Sequence, residues 1–169
     1  MRQLLHKMRG DQAPRSPRAN WATIGLAFTG SVITIALLAQ LAHTLGTVLL
    51  VGTFGASTLL IFGYPDAPFS QPRNLVIGHL LGALIGLIFL YNFGDSSWSL
   101  AFATATAIAV MMITHTVHPP ASSNTFAVFL LKPSWLFLLT PILLGSVLIL
   151  IIALFYNNIV RASRWPKHW

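Results

Sequence analysis

The middle of this chain is almost free of charge, and that feature constrains its fold most. Between Arg18 and Arg161 the charged side chains are Asp66, Arg73, Asp95 and Lys132. A soluble domain carries charge on about a quarter of its residues, mostly at its surface. A stretch this long with so few charges cannot cover a core with polar surface, so its solvent must be lipid. The sequence therefore predicts an integral membrane protein.

Long apolar runs fill this middle stretch. A helix needs about 20 apolar residues to cross the hydrocarbon core. The candidate runs are 22–42, 45–62, 75–93, 98–117 and 135–157. A sixth run, 121–131, is too short to cross alone. We expect an all-α integral membrane protein with four to six transmembrane segments, some of them broken or re-entrant.

The basic residues lie mainly at the two ends of the chain. The net charge of +7 comes from 10 Lys and Arg against 3 acidic residues. All of the basic residues except Arg73 and Lys132 precede the first apolar run or follow the last one. Lys and Arg that flank a span resist translocation and contact anionic lipid headgroups. We therefore expect both termini in the cytoplasm, an even number of crossings and no nucleic-acid binding.

The composition also divides the chain into regions. Residues 1–20 are rich in Arg, Pro and polar groups, which predicts a basic cytoplasmic arm. Residues 21–158 are predicted to form a single transmembrane domain, and 159–169 a basic cytoplasmic tail. The first apolar run is too long for a signal-peptide core and lacks a cleavage site, so it should remain as a span. The expected location is the bacterial inner membrane.

A weak similarity links the two halves of the chain at an offset of 65 residues. It relates the regions 21–93 and 98–157, each with three segments. Because three is odd, the second half would enter the membrane inverted, a common plan in transporters. Six crossings would follow. An alternative has four crossings with two re-entrant middle segments, and the membrane face on which Arg73 emerges distinguishes the two.

The most informative motif is the polar stretch Thr114–Thr125, which interrupts an apolar region. Its successive prolines remove two amide donors and must end the preceding helix. A new helix should begin at Pro120 near mid-depth, and its N–H groups and hydroxyls would offer an anion site without a buried charge. The alternative is a kink whose hydroxyls bond back to the helix. The candidate binding residues are His118, Pro119, Pro120, Ala121, Ser122 and Ser123.

A glycine-containing motif holds the corresponding place in the first half. Its glycines permit a break, after which Ser57 would open a second half-helix facing the first one. The alternative is tight helix packing through small residues. The candidate residues are Thr53, Phe54, Gly55, Ala56 and Ser57.

Further candidates lie at the start of the third run. Arg73 and Asn74 precede it, and Arg73 either attracts anions at a pore mouth or anchors the span at the headgroups. Histidine titrates near physiological pH, so His79 and His118 are candidates for proton coupling. Of the membrane histidines, His118 is the first candidate and His79 the second.

The sequence offers little support for catalysis. The three acidic residues fall in the arm or in loops, so no carboxylate pair is available within the spans. No spacing indicates a serine–histidine–aspartate set or a phosphate-binding loop. The chain has no cysteine, which excludes disulfides and thiolate metal sites. We expect no enzymatic activity, no metal and no cofactor.

Three motifs in order resemble the HPP family of bacterial and plastid membrane proteins. They are His118-Pro119-Pro120-Ala121, Phe54-Gly55-Ala56-Ser57, and Gln71-Pro72-Arg73-Asn74 with Gly78-His79. The resemblance covers residues 20–158 and implies four membrane spans. Some members are associated with nitrite transport, which implies nitrite as the substrate. Relatives follow the triplet with small residues, whereas this chain has the more polar Ser122-Ser123-Asn124.

Together these features predict a transporter or channel for a small inorganic anion, with nitrite as the preferred substrate. The expected partners are the anion, the lipid bilayer and further copies of the chain, because a homo-oligomer would shield polar breaks from lipid. Two alternatives stay open. One is a haem-binding redox protein that uses histidine pairs, and the other is a membrane scaffold that transports nothing.

Overall fold

The computed structural model describes residues 7–8, 14, 17–46, 52–161 and 163–169. Most of the predicted arm lies outside these residues. Every regular element within them is helical, as predicted. The α-helices from Trp21 onward are α1 (Trp21–Leu45), α2 (Gly52–Thr58), α3 (Pro72–Phe93), α4 (Ser97–Ile113), α5 (Pro119–Ser122), α6 (Asn124–Leu131) and α7 (Leu144–Phe155).

Short 3₁₀ and π turns extend several of these helices. A π turn at Leu59–Gly63 continues α2. Two further turns, Trp135–Leu138 and Leu139–Leu143, lead into α7, and a π turn at Tyr156–Val160 follows it. The last apolar run is therefore a composite helix.

Among the described residues, three helices are long and apolar enough to cross a membrane: α1, α3 and the composite Trp135–Val160. The apolar helix α4 has 17 residues, and Gly52–Gly63 is shorter still. The structure confirms a helical membrane protein with long and short segments. Part of the predicted run 45–62 lies outside the described residues, and the described helix there begins at Gly52.

Helix boundaries differ from the predicted runs where the backbone leaves the helical region. Helix α1 continues to Leu45 and is closed by Gly46, whose φ is 60°. Helix α4 ends at Ile113 rather than at residue 117, since His115 has a φ of 55° and the chain then approaches two prolines. The composite helix contains a non-helical Thr140, which directly precedes Pro141.

The two ends of the described chain meet on one face, which we call the terminal face. The Tyr156 hydroxyl donates to the Leu26 carbonyl near the start of α1 (2.9 Å). Trp165 Nε1 in the tail donates to the Pro65 carbonyl (3.1 Å). The Lys167 amide donates to Gln71 Oε1 (2.9 Å). The loop before α3 therefore lies on the terminal face.

The opposite end of α3 lies on what we call the far face. There Lys132 Nζ lies 2.6 Å from an Asp95 carboxylate oxygen. The Tyr91 hydroxyl donates to the Pro133 carbonyl (3.1 Å). The loop after α3 and the loop after α6 thus share this face.

These contacts determine the direction of the segments. Arg73, at the start of α3, donates to the Thr114 carbonyl (2.9 Å), so the end of α4 also lies on the terminal face. The six-segment prediction requires Arg73 on the face that holds the termini. The four-crossing alternative, which the family resemblance also implied, requires it on the opposite face, and the structure disagrees with it there. The internal sequence repeat stays a prediction.

Glycines allow each long helix to approach the short segment of the other half. A Cβ at Gly82 of α3 would lie 2.1 Å from the Ala121 carbonyl oxygen, closer than atoms can pack. A Cβ at Gly145 of α7 would lie 2.3 Å from the Phe54 ring. Gly78 and Gly86 extend the contact along α3. The spacing of four residues between Gly78, Gly82 and Gly86 therefore serves packing within the chain.

Candidate functional site

A cluster of five polar side chains is buried where the short segments meet α3. We call it the Ser57 cluster, and its members are Thr53, Ser57, His79, His118 and Asn124. Four of them have no exposed surface, and Thr53 is 7% exposed. Burying a polar group without a hydrogen bond costs free energy, so such a cluster must satisfy its own donors and acceptors.

Each member is held by a helix or by a helix start. Thr53 and Ser57 are four residues apart in α2 and therefore share one face. His79 lies within α3. His118 precedes α5 with extended backbone (φ −133°, ψ 99°), which the following proline favours. Asn124 is the first residue of α6.

The Ser57 hydroxyl lies between the two histidines. Its Oγ is 2.8 Å from Nε2 of His79 and 2.9 Å from Nε2 of His118. It is also 3.0 Å from the Thr53 carbonyl oxygen, which can accept its proton. The two imidazole ring centroids are 5.1 Å apart. One hydroxyl thus connects two imidazoles that come from different segments.

Asn124 fixes the other side of His79. Its Nδ2 lies 3.0 Å from His79 Nδ1 and donates to the His79 carbonyl (2.9 Å). Its Oδ1 accepts from the Thr53 hydroxyl (2.9 Å). The Asn124 side chain therefore uses both ends of its amide within the cluster.

Backbone carbonyls fix the remaining polar atoms near the break. His118 Nδ1 lies 2.7 Å from the Phe69 carbonyl oxygen in the loop before α3. Asn74 Nδ2 donates to the Val117 carbonyl (2.8 Å), which the non-helical stretch leaves free. Among the described residues no buried side-chain nitrogen or oxygen lacks a partner.

A crevice of about 380 Å³ lies at the terminal face beside His118. Phe69, whose carbonyl meets His118, contributes to its wall. Its polar lining residues are Asn74, His115 and His168, and none of the lining residues is acidic. The full lining is Pro68, Phe69, Asn74, Met112, His115, Val117 and His168.

The start of α5 differs from the predicted anion site. The helix begins at Pro119, one residue earlier than expected, so its first two positions lack N–H groups. The Ala121 amide donates to the His118 carbonyl (2.9 Å), and the Ser122 hydroxyl donates to the Pro119 carbonyl (2.8 Å). The alternative in which hydroxyls bond back to the chain therefore describes Ser122. Ser123 is exposed and is followed by α6.

The predicted break does not occur within Gly52–Thr58, which is one continuous helix. Gly55 lies inside α2, and Ser57 does not begin a helix, because glycine permits a break without requiring one. Phe54 is buried, with its ring 5.0 Å from that of His79. Gly55 and Ala56 are exposed on the outer side of α2. A Cβ at Gly52 or at Gly55 would have no heavy atom within 4 Å, so these glycines do not serve the tight helix packing that the alternative predicted either.

The remaining predicted residues lie at the terminal face. Arg73 is exposed and bonded to the Thr114 carbonyl, and Asn74 is buried beside the crevice. Sequence reasoning missed Asn124 as a site residue, and it missed the Phe69 carbonyl. The Asn124 amide stands in the polar stretch after the prolines, but its partner lies 45 residues away. Among the described residues no group of three or more His or acidic side chains could hold a metal ion.

The fold and the site together define an all-helical membrane protein with a buried polar cluster at a broken segment. The family described as "HPP, transmembrane region" matches residues 16–166. This chain therefore belongs to the HPP family.

Two relatives are described as transmembrane proteins of Dictyostelium discoideum. The first is 34% identical over 180 residues, covering 99% of this chain and 57% of the relative. The second is 32% identical over 151 residues, covering 85% of this chain and 53% of the relative. This chain thus spans little more than half the length of these relatives. No solved structure matches it.

Proposed function

We propose that this protein transports a small inorganic anion, with nitrite as the preferred substrate. The observation that carries the proposal is the crevice at the terminal face, whose wall residue Phe69 contacts His118 of the Ser57 cluster. Its polar lining consists of amide and imidazole groups, with no acidic side chain. Arg73 precedes the lining residue Asn74, and it donates to the carbonyl of Thr114, which precedes the lining residue His115. An opening with donors and no carboxylate favours anions over cations.

The buried cluster suits transient binding better than tight binding. Its donors are neutral hydroxyl, amide and imidazole groups, each already shared with another protein group. An anion that exchanges with these bonds gains modest stabilisation and can leave again, as conduction requires. The proposed route therefore runs from the crevice past His118 and Ser57, rather than over the start of α5 alone.

The proposal also covers the membrane, the orientation and the oligomeric state of the protein. We keep the bacterial inner membrane, with the terminal face towards the cytoplasm, because the basic residues concentrate at the two chain ends. We also keep a homo-oligomer, which light scattering of the purified protein in detergent would test. No enzymatic activity, metal or cofactor belongs to this proposal.

Nitrite uptake into proteoliposomes tests the proposal. We expect saturable uptake above protein-free liposomes, with nitrate, formate and chloride as competitors that rank the selectivity. Arg73→Gln should slow uptake, whereas Arg164→Gln, which removes an exposed charge from the tail at the same face, should not. Equal uptake with and without folded, inserted protein would contradict the proposal and favour the scaffold.

The redox alternative has its own test in the same preparation. Both Nε2 atoms of the buried histidine pair already lie within hydrogen-bond distance of Ser57. A haem protein would show a Soret band after purification. We expect a colourless protein.

A further inference from the structure

The hydrogen-bond partners of the Ser57 cluster determine which nitrogen of each histidine carries a proton. The carbonyl of His79 can only accept, so the group of Asn124 that faces it must be the amide nitrogen. The same nitrogen faces His79 Nδ1, which must therefore accept. The proton of neutral His79 is then on Nε2, and it points at the Ser57 oxygen.

His118 has the opposite arrangement. Its Nδ1 faces the Phe69 carbonyl, which can only accept, so Nδ1 carries a proton. In neutral His118 the Nε2 atom has a free electron pair, and it points at Ser57. The two imidazoles thus present different groups to one hydroxyl: a donor from His79 and an acceptor from His118.

The Ser57 hydroxyl has a choice of two acceptors. When it donates to His118 Nε2, the cluster is neutral and fully bonded. When it turns to the Thr53 carbonyl, 3.0 Å away, its oxygen can accept from both Nε2 atoms. Every bond is then satisfied with one additional proton on His118. His79 has no such second state, because its own carbonyl, which can only accept, keeps the Asn124 amide nitrogen beside Nδ1.

In the part of the chain that the structure describes, no group beside His118 would balance an added charge. The neutral groups that face it are Ser57 from α2, His79 from α3 and the Phe69 carbonyl from the loop. Among the described acidic residues, Asp66 pairs with Lys167 and Asp95 pairs with Lys132 on the far face. The remaining titratable or charged groups near the crevice are Arg73, His115 and His168. A buried cation here needs an anion beside it.

We propose that His118 binds one proton together with each transported anion, and that the Ser57 hydroxyl turns to accommodate that proton. This inference rests on the proposed function. A hydronium ion in the crevice loses one proton to His118, so that one O–H bond breaks and one N–H bond forms. Release to water on the other side reverses the step. His79 is a positioning residue that keeps its own proton throughout.

The electrical consequence is a neutral transport cycle. A proton and a monovalent anion carry no net charge together, so the membrane potential should not affect the rate. For an anion that crosses alone, a potential of 100 mV would instead change the equilibrium ratio of its concentrations on the two sides about 50-fold. A pH gradient of one unit should drive about tenfold accumulation of the anion in the coupled case.

The test measures initial nitrite uptake into proteoliposomes with the potential clamped by potassium and valinomycin, beside protein-free liposomes. For the wild-type protein we expect stimulation by an inward proton gradient and no response to the potential. Nitrite uptake that follows the potential and ignores the pH gradient would overturn the proton inference, while leaving anion transport intact. Absence of uptake would instead remove the proposed function.

Two substitutions separate the roles of the histidines. His118→Gln should abolish stimulation by the proton gradient, because the amide cannot hold the added proton. His79→Gln retains an N–H donor for Ser57 and should keep the stimulation, whereas His79→Leu should reduce it. Stimulation that persists in His118→Gln and is lost in His79→Gln would contradict the assignment of the added proton to His118. If His118→Gln fails to fold, the response of wild-type uptake to the membrane potential and to the pH gradient still tests the proton coupling.

Discussion

The Ser57 oxygen lies 2.9 Å from Nε2 of His118, although 61 residues separate them in sequence. The contact joins a helix of the first half to the proline-broken segment of the second half. Its environment is fully buried, so it depends on the packing of α2, α3 and the break against one another.

Asn124 should contribute more to stability than any single hydrogen bond. Asn124→Ala would leave the Thr53 hydroxyl, the His79 ring nitrogen and the His79 carbonyl without their partner. Each unsatisfied buried group costs about 1–3 kcal/mol. We expect a clearly lower melting temperature in detergent.

Asn92→Ala is the matched control for this substitution. Asn92 is exposed near the end of α3 and donates only to the Ile88 carbonyl of its own helix. Its loss should change the melting temperature little. Equal destabilisation by the two variants would show that the buried amide is not essential to the cluster.

Gly82 should tolerate no larger side chain. In Gly82→Ala the new methyl group would meet the Ala121 carbonyl oxygen at 2.1 Å, and that atom belongs to the backbone. Overpacking of this kind costs about 1–3 kcal/mol and should move the break away from α3. Thermal unfolding in detergent measures the loss.

Gly25→Ala provides the comparison in another long helix. A Cβ at Gly25 would have no heavy atom within 4 Å, so this variant should unfold close to the wild-type temperature. A Gly82→Ala protein as stable as the Gly25→Ala protein would contradict the close approach of the two segments.

The direction of the segments can be tested with single cysteines, since the chain has none. Tyr64 and Trp169 lie at the terminal face, and Ser134 follows α6 at the far face. Each is replaced by cysteine in a separate variant. In vesicles of one orientation, a membrane-impermeant maleimide should label the first two from the same side and Ser134→Cys from the other. Labelling of Tyr64→Cys and Ser134→Cys from one side would support the four-crossing order.

The sequence was sufficient to predict the membrane class and the break. Scarcity of charge identified the lipid environment, and the two prolines after His118 identified the end of a helix. Ser57, His79 and His118 were each recognisable as polar residues within apolar runs. These features are local, and each has a physical cause within a few residues.

The meeting of these residues could not be predicted. In a membrane protein both the lipid-facing and the core-facing sides of a helix are apolar, so periodicity does not reveal which side packs. The position of Phe54 in α2 depends on neighbouring segments, since its ring packs against His79 of α3 and against α7 at Gly145. The same is true of Asn124, whose partners His79 and Thr53 come from two other helices.

The central claim is that anions pass through the Ser57 cluster, and one comparison tests it most directly. Initial nitrite uptake is measured for Ser57→Ala and for Ser99→Ala in the same liposomes. Ser99 is also buried, at 5% exposure, but its hydroxyl donates to the Phe89 carbonyl near the end of α3 and not to a residue of the cluster. We expect Ser57→Ala to lose most of the uptake and Ser99→Ala to retain it. Undiminished uptake by folded Ser57→Ala protein would contradict the claim.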